Sequence, residues 1–191
     1  MPLDSGWEER RFKDALRTQP TIDVKDFLIN QGRAFTVSDR IVDVGNGDSI
    51  YVFLDNPSDS GYDYDVILQP RAAGEADINL SFGATQGTTG TAVTAHNLKS
   101  GSSRTFSGTV EESETGDTGT LPSHGTTIIQ DFLPGGTQGV KVGPSGVNAV
   151  TLTIDEGSNK LFEVVNQSGG GAKLAINLII YEIDGTYKMT E

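Results

Sequence analysis

Apolar and polar positions alternate along most of this chain, and the alternation starts abruptly about thirty residues in. In Ile41-Val42-Asp43-Val44 and in Asp77-Ile78-Asn79-Leu80-Ser81-Phe82 every second side chain is apolar. That is the period of a strand with one face buried and the other wet. Runs of this kind, broken by Gly, Ser, Thr, Asn and Asp, predict strands at 34–44, 49–54, 62–69, 76–82, 104–110, 126–132, 139–142, 149–154, 160–165 and 172–183. Many short strands with turn signals between them form a sandwich or a barrel. Two antiparallel sheets of about four strands each absorb eight of them, so the expected fold is an all-β antiparallel sandwich of jelly-roll type.

The first 31 residues have a different texture. They hold no glycine between Trp7 and Gly32 and are rich in helix formers. Asp4 or Ser5 can cap a helix through Trp7, Phe12, Ala15 and Leu16, which Pro20 ends. Thr21 or Asp23 can start a second helix, with Val24, Phe27 and Leu28 as its apolar face. The division expected is a helical arm over 1–31 and a sandwich domain over 32–191. Trp7, Arg10, Arg11, Phe12 and Leu16 of the arm combine aromatic and guanidinium groups, a composition enriched at protein interfaces. Two roles are open to it: clamping a neighbouring subunit, or folding back over an edge of its own sheet.

One stretch of the β region echoes another. Tyr51-Val52-Phe53-Leu54-Asp55 leads into Asn56-Pro57-Ser58-Asp59-Ser60-Gly61, and Leu161-Phe162-Glu163-Val164-Val165 leads into Asn166-Gln167-Ser168-Gly169-Gly170-Gly171. Each reads as an apolar strand, an Asn-x-Ser-x-x-Gly turn and a further strand, hence a hairpin. A two-fold pseudo-symmetry of the sandwich would explain the pair. Between the strands, 83–101 and 111–125 read as long polar loops, a kind usually kept for binding or assembly.

Composition narrows the function classes. A chain of 191 residues with 35% hydrophobic side chains can bury one core unaided. It has no cysteine, so disulfides and thiolate metal sites are excluded. No apolar run reaches the roughly 20 residues of a membrane span, and the polar start lacks a signal-peptide core. Acidic residues number 26 against 14 basic, a formal charge of −12, which argues against a nucleic-acid partner. Excess carboxylate with few lysines also suits a protein kept soluble in concentrated salt; an ordinary acidic protein is the other reading.

Catalytic signatures are sparse. His96 and His124 stand in loop-like stretches with no His, Cys or paired carboxylate at ligand spacing. There is no Gly-x-Ser-x-Gly elbow, no phosphate-binding Gly-rich loop and no His-Glu-x-x-His pair. The expectation is therefore no enzymatic activity, no cofactor and no resident metal. Asp63 and Asp65 share a strand face, and Glu111, Glu112, Glu114 and Asp117 form an acidic loop, both read as solvated carboxylates rather than a defined calcium loop. Two sequons occur, Asn79-Leu80-Ser81 and Asn166-Gln167-Ser168, the first inside a predicted strand. Tyr62 and Tyr64, with Tyr51, are the candidates for an aromatic ligand face.

Ile50-Tyr51-Val52-Phe53-Leu54-Asp55-Asn56-Pro57-Ser58, the stretch from Gly90 to Leu98 and the closing run from Leu161 to Tyr181 resemble virion structural proteins of tailed and icosahedral viruses of bacteria and archaea. The resemblance spans roughly 48–183, rests on texture and the order of turns, and leaves the helical arm unmatched. Joined to the acidity, it implies a haloarchaeal virus and a jelly-roll capsid, turret, decoration or tail-associated subunit. Its partners would be further copies of itself and other virion proteins, its location the virion assembled in the host cytoplasm. It carries over no functional residues. The alternative is a receptor- or carbohydrate-binding module of a tail or spike, with a host glycan or receptor as ligand.

Overall fold

A computed structural model describes residues 23–134 and 150–184 of the chain. The arm residues Trp7, Arg10, Arg11, Phe12 and Leu16, and the strand expected at 139–142, lie outside the described residues. The second expected helix is present as α1 (Val24–Asn30), capped by Asp23, whose carboxylate accepts from the Lys25 backbone N–H at 2.8 Å. Its buried Leu28 meets Ala34 and Tyr181, so this helix packs onto the sandwich.

Eleven strands follow: β1 (Ala34–Val44), β2 (Ser49–Asn56), β3 (Asp63–Ala72), β4 (Ala76–Phe82), the two-residue β5 (Thr91–Ala92) and β6 (His96–Asn97), β7 (Thr109–Glu114), β8 (Thr126–Leu133), β9 (Val150–Ile154), β10 (Ser158–Asn166) and β11 (Ala172–Ile183). They form two antiparallel sheets, β6-β1-β11-β3-β9 and β5-β7-β2-β10-β4-β8. The chain is an all-β sandwich. Its long strands pair in a nested way: β1 with β11, β2 with β10, β3 with β9, β4 with β8. The stretch from β5 to β7 is an excursion inserted between β4 and β8.

Alternation sets the core. In β11, Leu174, Ile176, Leu178 and Ile180 point inward and are fully buried, against Val52, Leu54, Leu80, Phe162 and Val164 of the opposite sheet. Each such side chain contributes about 1.5–3 kcal/mol by leaving water. Phe106, from the excursion, closes one end of this core, with its ring centroid 5.3 Å from Phe35 and 5.0 Å from Tyr64.

Three expectations are corrected here. The strand expected at 104–110 begins only at Thr109, because Arg104 and Ser107 direct their donors to buried Glu182 instead of into a ladder. The loop expected at 111–125 starts as strand: β7 carries Glu111, Glu112 and Glu114, pairing with β2. The echoed segments are not hairpins, since β2 and β3, like β10 and β11, lie in different sheets. Each Asn-x-Ser-x-x-Gly stretch is an arch that carries the chain across the sandwich. The buried Asn56 and Asn166 satisfy the backbone where it crosses.

Candidate functional site

The outer face of the β2–β10–β4 sheet is covered, although its middle is polar. Glu163 sits in an otherwise apolar strand and is buried. Ser49 Oγ donates to its Oε1 at 2.8 Å, Asn79 Nδ2 to its Oε2 at 2.7 Å, and His124 Nε2 lies 3.0 Å from the same Oε2. The other ring nitrogen, Nδ1, is 2.7 Å from Ser81 Oγ. Burial, with the Glu163 charge beside it, holds the neighbouring Tyr51 phenol above its usual value. The segments either side of the excursion lie over this cluster. Thr85 and Ser123 exchange backbone hydrogen bonds at 3.0 Å, and Phe53, Leu161 and Ala84 form a small second core beneath. At Gly87 a side chain would collide with the Thr120 carbonyl and the backbone of 121–122, so the two covering segments touch main chain to main chain.

Ser81, His124 and Glu163 stand in the order of a serine–histidine–carboxylate relay. The geometry that would activate the serine also seals it: Ser81 is 0% exposed. It lies within the β4 ladder, paired to Leu161 on one side and Thr127 on the other. An acyl substrate has no approach to Oγ in this arrangement. What the cluster does do is fix His124, and with it the covering segment, to the sheet. His124 is a surface residue in a loop, as expected, and its carboxylate partner comes from another strand, not from neighbouring sequence.

The proposed tyrosine face does not form. Tyr64 is 0% exposed and belongs to the core, its hydroxyl 2.9 Å from Ser107 Oγ. Alternation puts it on the inward side of β3, between Asp63 and Asp65 on the outward side. Tyr62 lies under two guanidinium groups, with Arg33 Cζ 4.8 Å and Arg104 Cζ 5.1 Å from its ring centroid. Arg33 pairs with Asp184 at 2.7 Å and Arg104 with fully buried Glu182 at 2.7 Å. This ionic group ties the excursion and the residues after α1 to the end of β11. Asp65 accepts from Thr153, and Asp63 from the Glu156 backbone, so both carboxylates tie β3 to the β9 region. Both sequon asparagines are engaged as well, Asn79 by Glu163 and Asn166 by the Val44 and Gly170 carbonyls.

Apolar surface is exposed at one lateral edge. The short β5 and β6, three residues apart in sequence, finish the two sheets on one side, so β8 and β9 finish them on the other. Along β8, Phe132 is 60% and Ile128 44% exposed, and no described strand pairs with its outer edge.

These features define a class, an antiparallel two-sheet β-sandwich with an insertion that covers one sheet. Comparison with family models, with curated proteins and with solved structures finds no match to the chain.

Proposed function

We propose that the protein is a non-catalytic structural subunit of a virion, acting through assembly contacts with copies of itself and with other virion proteins. The nested pairing of β1 with β11, β2 with β10, β3 with β9 and β4 with β8 supports reading the sandwich as a jelly roll, an architecture common in capsid subunits. The observation that carries the reading is the β8 edge. No described strand pairs with the outer edge of β8, and Phe132 and Ile128 are exposed along it, the kind of edge that proteins ordinarily cover or pair. The formal charge of −12 favours a setting in which salt screens repulsion between packed copies. The glycan-binding alternative loses its aromatic face, since Tyr64 is in the core and Tyr62 is overlaid by Arg33 and Arg104.

Light scattering behind size exclusion at molar salt tests the proposal. A defined oligomer is expected, weakened by Phe132→Asp without loss of the fold. A strictly monomeric protein that is also absent from purified particles overturns it.

A further inference from the structure

On the side of the sandwich opposite β8, the gap between the two sheets is lined by carboxylates. Asp39 occupies an inward position of β1, in the alternation that places Val37 in the core, and is 5% exposed. Across the gap, Glu112 and Glu114 follow Val110 on the inward side of β7. Asp117 closes the rim, accepting from the Glu114 backbone N–H at 2.9 Å. With Thr91 of β5, paired to Glu112, they line a pocket of about 280 Å³. Arg40, on the exposed side of β1, is the one cationic residue in its lining.

Asp39 Oδ2 is buried and receives no hydrogen bond from any described donor. It faces the Glu112 carboxyl group, itself an acceptor when ionised, with the Glu114 charge near. A buried carboxylate is stable only when paired or protonated. Two carboxyl groups lining one small pocket, one of them buried, repel each other unless something positive lies between them, a proton or a metal ion. Burial first, and the Glu112 charge second, push the Asp39 carboxyl up to about 7.

We propose that Asp39 and Glu112 bind a hard divalent cation of the Ca²⁺ class, clasping β1 of one sheet to β7 of the other. Among the described residues no three carboxylate or imidazole groups already stand at coordination spacing. The ion therefore takes two direct carboxylates, with water and neutral oxygens, the Thr91 hydroxyl among those at hand, completing the six to eight oxygens that Ca²⁺ requires. Glu114 and Asp117 act through water and by charge. Two direct carboxylates in a pocket open at its rim set an affinity on the order of 0.1–1 mM, the range of weak extracellular calcium modules.

The test uses the full chain, stripped with EDTA and titrated with CaCl₂ in potassium chloride. Calorimetry is expected to show one Ca²⁺ per chain and a saturable rise in Tm. Repeated in buffers of different ionisation enthalpy, binding near pH 6 should release a proton that is no longer released above about pH 8. Asp39→Asn, and independently Glu112→Gln, should abolish the calcium-dependent rise in Tm while leaving the fold intact by circular dichroism. Absence of any Tm response at about ten times the upper affinity limit overturns the proposal and leaves a proton-sharing pair. An Asp39→Asn protein that responds to Ca²⁺ as the wild type does also overturns it, by moving the ion elsewhere.

Discussion

Asn56 and Asn166 are the last residues of neighbouring antiparallel strands, and each performs the same task at opposite ends of their ladder. Asn56 Nδ2 donates to the Tyr62 carbonyl at 2.8 Å and the Ile154 carbonyl at 3.2 Å. Asn166 Nδ2 donates to the Gly170 and Val44 carbonyls, both at 2.7 Å. The main chain repeats the relation, with Gly157 N donating to Asn56 O at 2.9 Å and Gly47 N to Asn166 O at 2.7 Å. Ile154 and Val44 end β9 and β1, so a two-fold axis between β2 and β10 exchanges β1-β2-β3 with β9-β10-β11. The sheet order agrees, because β1-β11-β3-β9 reads the same after that exchange.

Both asparagines are fully buried, and removing either amide takes a donor from two main-chain carbonyls, one of which keeps a serine hydroxyl: Ser60 Oγ on Tyr62 O at 3.1 Å, Ser168 Oγ on Gly170 O at 3.0 Å. At about 1–3 kcal/mol for an orphaned buried group, Asn56→Ala and Asn166→Ala should each cost about 1–3 kcal/mol. Asn166→Ala should cost more, since its Oδ1 also accepts from the Ser168 N–H at 2.9 Å, whereas Asn56 Oδ1 has no described donor. Urea midpoints for the two variants check the size and the order.

The echo that marks this symmetry was legible in the residues, yet its meaning was not. Asn-x-Ser-x-x-Gly announces a tight reversal, and nothing local says whether the next strand returns beside its predecessor or crosses to the other sheet. Strands β1, β4 and β11 match their sequence-predicted bounds residue for residue, because turn formers bracket each β-rich run: Gly32 and Gly45, Gly74 and Gly83, Gly171 and Asp184. Strand β7 was hidden because its inward positions after Val110 are Glu112 and Glu114, which read as solvated loop. The meeting of His124 with Glu163 spans 39 residues and could not be read from spacing. The available signal was Glu163 itself, a lone acid between Phe162 and Val164 in a run too apolar to tolerate an unpaired charge.

Glu182 offers a test of a buried charge. Fully buried, it accepts from Arg104 Nε at 3.1 Å and Nη2 at 2.7 Å, from Ser107 N at 2.8 Å and from Ser107 Oγ at 2.6 Å. Arg104→Ala leaves the carboxylate buried without its countercharge and should cost about 3–5 kcal/mol. Glu182→Gln removes the charge that needs the arginine and should cost less, about 1–3 kcal/mol. Pairing the two substitutions should recover part of the Arg104→Ala loss, which a double-mutant cycle by thermal melting measures.

The Ser81–His124–Glu163 cluster should behave as a fastener, not a relay. His124→Ala removes the side chain that holds the covering segment to the sheet, so amide exchange over 119–125 should quicken while global stability falls by about 1 kcal/mol. Ser81→Ala should leave the hydrolysis of an activated acetate ester at the wild-type level, because Oγ has no exposed surface. A wild-type rate well above the uncatalysed one that vanishes in Ser81→Ala would mean that the cover opens and the serine is reached.

Asp39 sets the direction of one pH dependence. Its carboxyl, ordinarily near 3.8, is pushed up to about 7, by burial above all and then by Glu112. Between about pH 4 and 7 the folded chain keeps a proton that the unfolded chain has released, so this group's contribution makes stability fall as pH rises through that window. Above about 7 the carboxylate is ionised in both states and the whole burial penalty is present. Asparagine has the same shape, cannot ionise, and offers Glu112 a donor. In EDTA, Asp39→Asn should therefore match the wild type below about pH 4 and gain on it progressively through the window. Above about pH 8 it should exceed the wild type by on the order of 2 kcal/mol, less than the full displacement implies because water reaches the pocket from its rim. Urea melts of both proteins across this range give the difference directly. A difference that stays flat with pH, or one that grows toward acid, would show that Asp39 is ionised in the fold across this range even without a divalent cation.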